Sequence, residues 1–156
     1  MKAVIQRVSE AQVLVDKKVV GECKEGLLVF YCAVEGDTLE DNDLLAAKIS
    51  NLRIFEDENN KMNKSILDVG GEILCISQFT LAASLKKGNR PAFVKAMNPT
   101  DAAVFYDKFC DKLRENGISR VETGIFGADM KVSLLNDGPV TIVMDTDIWK
   151  KKESTL

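Results

Sequence analysis

The chain opens on alternating apolar and polar positions, KAVIQRV over residues 2–8 and AQVLV over 11–15, separated by a polar Ser9-Glu10 break. A period of two is the pattern of strands buried on one face. Asp16-Lys17-Lys18 reads as a turn, and Val19-Val20 begins a further short strand. After Gly26 comes LLVFYCAV, a continuous apolar run of β-type residues. Such a run predicts a central strand buried on both faces. EILCISQF, after Gly70-Gly71, predicts a second strand of that kind.

Elsewhere the period changes. Leu45, Ile49 and Leu52 fall at i, i+4 and i+7, so residues 39–51 form a helix with one apolar face. Thr38 stands at its cap, and Asp41 puts negative charge in its first turn. Asn98-Pro99 starts a second helix, a capping residue followed by proline at the first helical position. Ala102, Phe105, Phe109 and Leu113 make its stripe, and Gly117 stops it. RIFE (53–56) reads as a strand and Asn59-Asn60 as a turn. VSLL (132–135) and VTIVM (140–144) read as two strands. The Asn136-Asp137-Gly138-Pro139 segment between them carries Asp-Gly, a good hairpin signal. Residues 147–156 read as a peripheral C-terminal tail on a domain of residues 1–146.

These elements are not a strict β-α-β alternation, so a doubly wound nucleotide fold is disfavoured. They predict a single α/β domain with a mixed, curved, barrel-like sheet in layers and two principal helices packed outside.

Composition narrows the chemistry. With 156 residues, 46% of them hydrophobic, the chain is long enough for a real core. Its 21 cationic and 24 acidic residues give a net charge of −3. That argues against coating nucleic acid through bulk positive charge, but leaves room for a local contact with one nucleic-acid end. There is no histidine. A Ser-His-Asp triad, a Cys-His pair and a His-ligated metal are therefore excluded, along with the usual base near neutral pH. Cys23, Cys32, Cys75 and Cys110 are widely spaced with no Cys-x-x-Cys, so buried reduced thiols are expected and a metal site is not. Free thiols suit a cytoplasmic protein. No signal peptide is legible, and the run Leu27–Val34 is far shorter than the ~20 residues of a membrane helix. No glycine-rich phosphate cradle occurs, so no cofactor is expected.

Three segments could carry chemistry. Ser77-Gln78-Phe79-Thr80 sits where a buried strand gives way to polar residues. Its backbone N–H groups could hold an oxyanion, its hydroxyls could bond local backbone, and Thr80 could be a nucleophile that lacks a histidine to activate it. Asn136–Pro139 is a hairpin turn or a place for a cis peptide. Lys86-Lys87-Gly88-Asn89-Arg90 is a solvated loop or a phosphate contact.

Taken together, AVIQRVS, NLRIFEDENNKMN, GGEILCISQFTL, KGNRPAF, VETGIFGADM and VSLLNDGPVT resemble the D-aminoacyl-tRNA deacylase family over nearly the whole chain. SQFTL and NDGPVT resemble its two signature motifs. The resemblance implies a homodimer that hydrolyses the ester between a D-amino acid and the 3′-terminal adenosine of tRNA. It also implies clearance of glycine mischarged onto tRNA for alanine. By position, Ser77, Gln78, Phe79 and Thr80 match the motif that meets the adenosine and the scissile carbonyl. Gly138 and Pro139 match a cis peptide inserted from the partner subunit, where rigid backbone would exclude an L side chain. Arg7 matches the arginine that braces this motif, while Phe126 and Met130 match pocket residues. As bland alternatives, Arg7 is a surface strand residue and Met130 plain core. Catalysis by the tRNA's own 2′-hydroxyl, a nucleophilic Thr80, and a non-catalytic RNA-end binding module all remain open. The implied partner is the aminoacyl-tRNA 3′ end, with neither DNA nor membrane.

Overall fold

One strand organises the fold. In the computed structural model, which describes residues 1–150, β1 (Lys2–Val15) pairs on both of its edges. Along one edge, its first half is antiparallel to β3 (Gly26–Cys32) and its second half to β2 (Lys18–Cys23). The β1–β2 link is a tight turn in which Asp16 and Lys17 both have positive φ, 50° and 66°. That is the twist a two-residue hairpin needs. The expected break at Ser9-Glu10 is no break in the strand. It is a shift of register against β8 (Lys131–Asp145), which covers the other edge.

β3 is the central strand that its apolar run predicts. It runs parallel to β6 (Glu72–Ser77), which runs parallel to the short β7 (Val121–Thr123). The alternation of side chains explains the double burial. Leu28, Leu74 and Ile76 point to one core with Val8, Val13 and Cys23. Leu27, Val29, Tyr31, Ile73 and Cys75 point to the other, beneath the helices. The sheet nearly closes into a barrel because β2 turns back to β7. The Glu22 N–H donates to Glu122 Oε1 at 2.9 Å. A Cβ on Gly21 would stand 2.3 Å from the Thr123 carbonyl oxygen, so only glycine allows this approach.

Helices α1 (Leu39–Ser50) and α3 (Pro99–Glu115) cover one face of the sheet. Their starts carry the expected chemistry. Asp41 Oδ2 accepts from the Thr38 N–H at 2.8 Å, and Asn98 Oδ1 accepts from the Asp101 N–H at 3.0 Å. Asn42 ties the layers, accepting from Tyr31 Oη at 2.6 Å and donating to the Phe105 carbonyl at 3.0 Å. Phe109 stacks on Tyr31 with ring centroids 4.5 Å apart.

The structure corrects several expectations. The strand expected over 53–56 shrinks to β4 (Phe55–Glu56), paired with β5 (Met62–Lys64). A one-turn helix, α2 (Ile66–Val69), follows, capped by Ser65. VSLL and VTIVM are not two strands of a hairpin but one continuous β8, and Asn136–Pro139 makes no reversal. Gln6 faces Thr141 and Val8 faces Asn136, so residues 137–140 bulge out opposite the single Arg7. The start of the expected tail is docked. Thr146–Trp149 form a 3-10 turn, and Trp149 packs on the main core beneath the Lys48 ammonium, which lies 5.2 Å from its ring centroid. Residues 151–156 of that tail lie outside the described residues. No helix among the described residues is long and apolar enough to cross a membrane.

Candidate active site

β6 ends at Ser77, and the chain turns at once into a 3-10 turn, Phe79–Ala82. The Gln78 N–H donates to the Tyr31 carbonyl at 2.7 Å, which fixes the exit from the sheet. The first bond of the turn runs from the Leu81 N–H to the Gln78 carbonyl at 3.2 Å. The N–H groups of Phe79 and Thr80 stand ahead of it, where a helical turn leaves donors without internal partners. The Gln78 side-chain amide donates to Thr80 Oγ1 at 2.5 Å. Thr80 thus bonds a side chain, not the local backbone that its position at a strand end suggested.

Beside this turn lies a cleft of about 550 Å³ between the end of β6, the start of α3 and the segment after β7. Ser77, Gln78 and Phe79 line one side, and Phe126 and Met130 the other. Met130 reaches its place because residue 124 is glycine; a Cβ there would meet the Met130 sulfur at 2.5 Å. The sulfur is therefore not only core packing: the side chain is half-buried and faces the cleft.

Sequence reasoning missed most of the cleft lining, Phe93, Met97 and Cys32 among it. Phe93 meets Phe79 edge-on, ring centroids 5.1 Å apart, while Met97 and Cys32 complete the wall. Phe93 sits in the KGNRPAF segment, where an aromatic after a basic loop was the available signal. Met97 and Cys32 carried none, because only the fold brings them here.

The electrostatics leave few ionisable groups to act. Burial pushes the Cys32 thiol above its ordinary pKa, so it is not a thiolate at neutral pH. Burial does the same to the Tyr31 phenol behind the cleft. All four cysteines are buried and unbridged. Among the described residues, no group of three or more His, Cys, Asp or Glu is placed to hold a metal ion.

The second motif lies elsewhere. Gly138-Pro139 is a cis peptide on the β8 bulge, and Gly138 has φ +134°. Asn136 shapes the bulge from within. Its Oδ1 accepts from the Val140 N–H and its Nδ2 donates to Thr141 Oγ1, both at 3.0 Å. Arg7 is no surface residue, being only 7% exposed. Its Nε donates to the Asp137 carbonyl at 3.0 Å. Register separates this bulge from the cleft: Arg7 faces Leu27, Leu27 faces Ile73, and Ser77 lies four residues further along β6. That is about 13 Å along the strands, at roughly 3.3 Å per residue, and three strands across. One chain does not bring the two motifs together.

The family described as D-Tyr-tRNA(Tyr) deacylase matches residues 4–145. The chain belongs to this family. Its similarity to the D-aminoacyl-tRNA deacylase of Flavobacterium psychrophilum is 52% identity over 98% of this chain and 100% of that one. With the D-aminoacyl-tRNA deacylase of Ruegeria pomeroyi it shares 57% identity over 93% and 99%. Among solved structures, one described as c-Myc DNA Unwinding Element Binding Protein is similar with TM-score 0.88 and 42% identity, covering 93% of this chain and 98% of that one. A second, a probable eukaryotic D-amino acid tRNA deacylase, has TM-score 0.79 over 92% and 97%. At 20% identity it shows a shared fold alone. The match of the D-Tyr-tRNA(Tyr) deacylase family begins within β1 and ends on the last residue of β8, so it contains both the cleft and the bulge.

Proposed function

We propose that this protein hydrolyses the ester between a D-amino acid and the 3′-terminal adenosine of tRNA, releasing D-amino acid and tRNA, and that it does so as a homodimer. The observation that carries the dimer is the separation of the two motifs. A cleft with donors on one copy and the Arg7-braced Gly138-Pro139 bulge of another become one site when two copies face each other. The outer edge of β8 pairs with nothing among the described residues, and Leu135 and Val143 are exposed on the strand's outer face. An unpaired strand edge with exposed apolar side chains beside it is the kind of surface that a second copy covers.

In that site the exposed ring of Phe79 offers a face for the adenine. The N–H groups of Phe79 and Thr80 stabilise the oxyanion that develops as water attacks the ester carbonyl. The proton bookkeeping falls to the substrate. The chain has no histidine, its cleft thiol is held protonated, and Thr80 Oγ1 already accepts a hydrogen bond from Gln78. The 2′-hydroxyl adjacent to the ester supplies an oriented group through proximity alone. A nucleophilic Thr80 is the second reading, and it would need a base; the one carboxylate among the cleft residues, Asp129, is exposed and paired with Lys131.

The Gly138-Pro139 backbone, braced by Arg7, acts as the chirality filter. An L side chain would be driven into it, whereas a D side chain points outward. This excludes by clash and reads no side-chain identity. Glycine has no side chain to exclude, so glycyl esters, including those on tRNA for alanine, pass as well. Reduced, buried thiols fit a cytoplasmic setting. Multiple-turnover release of D-tyrosine from D-Tyr-tRNA tests the proposal. Stoichiometric binding without turnover would instead identify an RNA-end binding module.

A further inference from the structure

From Ile73 to Thr100 the chain has no acidic residue, and that stretch holds Lys86, Lys87, Arg90 and Lys95. Against a net charge of −3, this is a concentration of the opposite sign. All four side chains are exposed. Some other surface cations are engaged, Lys64 with Glu58, Lys112 with Asp43, Lys131 with Asp129 and Lys150 with Asp147, while Lys17, Lys18, Lys24, Lys48, Lys61 and Lys108 are exposed but lie outside this acid-free stretch. Among the described residues, none of the four has an acidic partner.

Their position is as telling as their charge. Ser84 and Ala92 exchange two backbone hydrogen bonds, 2.8 and 2.9 Å, which close residues 85–91 into a short protrusion. One foot of the protrusion, Ala92, adjoins the cleft residue Phe93. Phe79 precedes it and Phe93 follows it, and the two rings touch in the cleft wall. Lys95 stands beyond Phe93, next to the cleft residues Ala96 and Met97. Arg90 and Lys95 thus flank the cleft residue Phe93, three and two residues away.

We infer that the Lys86–Arg90 loop, with Lys95, seats the sugar-phosphate backbone of the RNA that follows the terminal adenosine out of the cleft. This rests on the aminoacyl-tRNA reading above. Contacts to phosphate fix register and orientation and carry no sequence information. A filter that reads chirality alone needs such a seat, because its substrates come on many different tRNAs. Clustering positive charge beside the cleft, in a chain whose net charge is −3, also steers the RNA end toward it.

The test measures binding apart from hydrolysis. The probe is a fluorescent RNA microhelix ending in CCA, titrated with full-length protein between 50 and 200 mM KCl. The triple variant Lys86→Gln, Lys87→Gln, Arg90→Gln is compared with wild type and with a control, Lys17→Gln, Lys18→Gln, Lys61→Gln, which loses the same charge from remote turns. The slope of log affinity against log salt should be shallower by about 2 to 3 in the loop variant, since each lost phosphate contact removes roughly 0.7–0.9. The control should keep the wild-type slope. On D-aminoacyl-tRNA the loop variant should show about a tenfold higher KM, while its hydrolysis of a D-aminoacyl ester of adenosine, which has no phosphate, stays at the wild-type rate. Equal slopes for wild type and loop variant, or an equal loss in the control, overturn the inference. Should wild type bind the microhelix with the expected slope yet hydrolyse nothing, the deacylase reading fails and the phosphate seat stands.

Discussion

Arg7 holds two backbone carbonyls at once, donating from Nε to Asp137 at 3.0 Å and from Nη1 to Ile54 at 2.6 Å. The first bond anchors the residue before Gly138, and the second anchors the guanidinium to the segment leading into β4. The bulge is thus held by a planar fork that lysine cannot copy. Arg7→Lys should fold and keep its charge, but lose one carbonyl contact, at a cost of about 1–3 kcal/mol. In urea melts the variant should be destabilised by that amount, and its kcat/KM on D-Tyr-tRNA should fall at least tenfold. Wild-type selectivity and rate in Arg7→Lys would remove the bracing role.

Gly138→Ala tests the filter itself. The added Cβ would lie 2.8 Å from Val140 Cγ2 and 3.1 Å from Arg7 Nη2, at φ +134°. The bulge must shift, and it is exposed, so the fold should survive with an unchanged far-ultraviolet circular dichroism spectrum. The ratio of D to L hydrolysis should drop by an order of magnitude or more. An unchanged ratio would detach Gly138 from stereochemical selection.

Thr80→Ala separates the two routes to hydrolysis. With the 2′-hydroxyl route, turnover should persist within about tenfold of wild type, because only the Gln78 contact is lost. Abolished turnover with intact binding, or a trapped acyl-enzyme, would make Thr80 the nucleophile.

Thiol reagents give a pH test. The thiolate is the reactive form, and burial raises the Cys32 pKa, so alkylation should be slow at pH 7 and accelerate only above the ordinary thiol range. Activity at pH 7 should survive iodoacetamide, followed by mass spectrometry of Cys32. Rapid loss of activity with Cys32 labelled would place a thiolate in the cleft.

The Met1 ammonium is fully buried and paired with Asp37 Oδ1 at 3.0 Å. Asp37→Ala leaves that charge with only Thr146 Oγ1 close by. Removing one partner of a buried ion pair costs about 3–5 kcal/mol. A thermal melt within 1–2 °C of wild type would contradict this pairing.

Much of this molecule is local chemistry, and local chemistry is legible. Thr38 with Asp41 and Asn98 with Pro99 announce two helices, and the run after Gly26 announces the central strand. The bulge was not legible from its own residues. Asp-Gly favours a tight reversal, and only pairing of both flanks with β1 keeps the chain running straight past Arg7. α2 is a single turn, shorter than any pattern of period 3.6 can reveal. The cleft was half legible: SQFT stands at a strand end, but its far wall comes from α3 and the segment after β7. The separation of the two motifs belongs to register alone, which is why family resemblance and not spacing pointed to a dimer.

The most direct test compares D-Tyr-tRNA and L-Tyr-tRNA, of matched integrity, with the purified protein at a small fraction of substrate. The account predicts many turnovers per protein on the D-ester and a rate on the L-ester no greater than the uncatalysed one. Equal release from both would leave an esterase without the filter, and release from neither would contradict the account altogether.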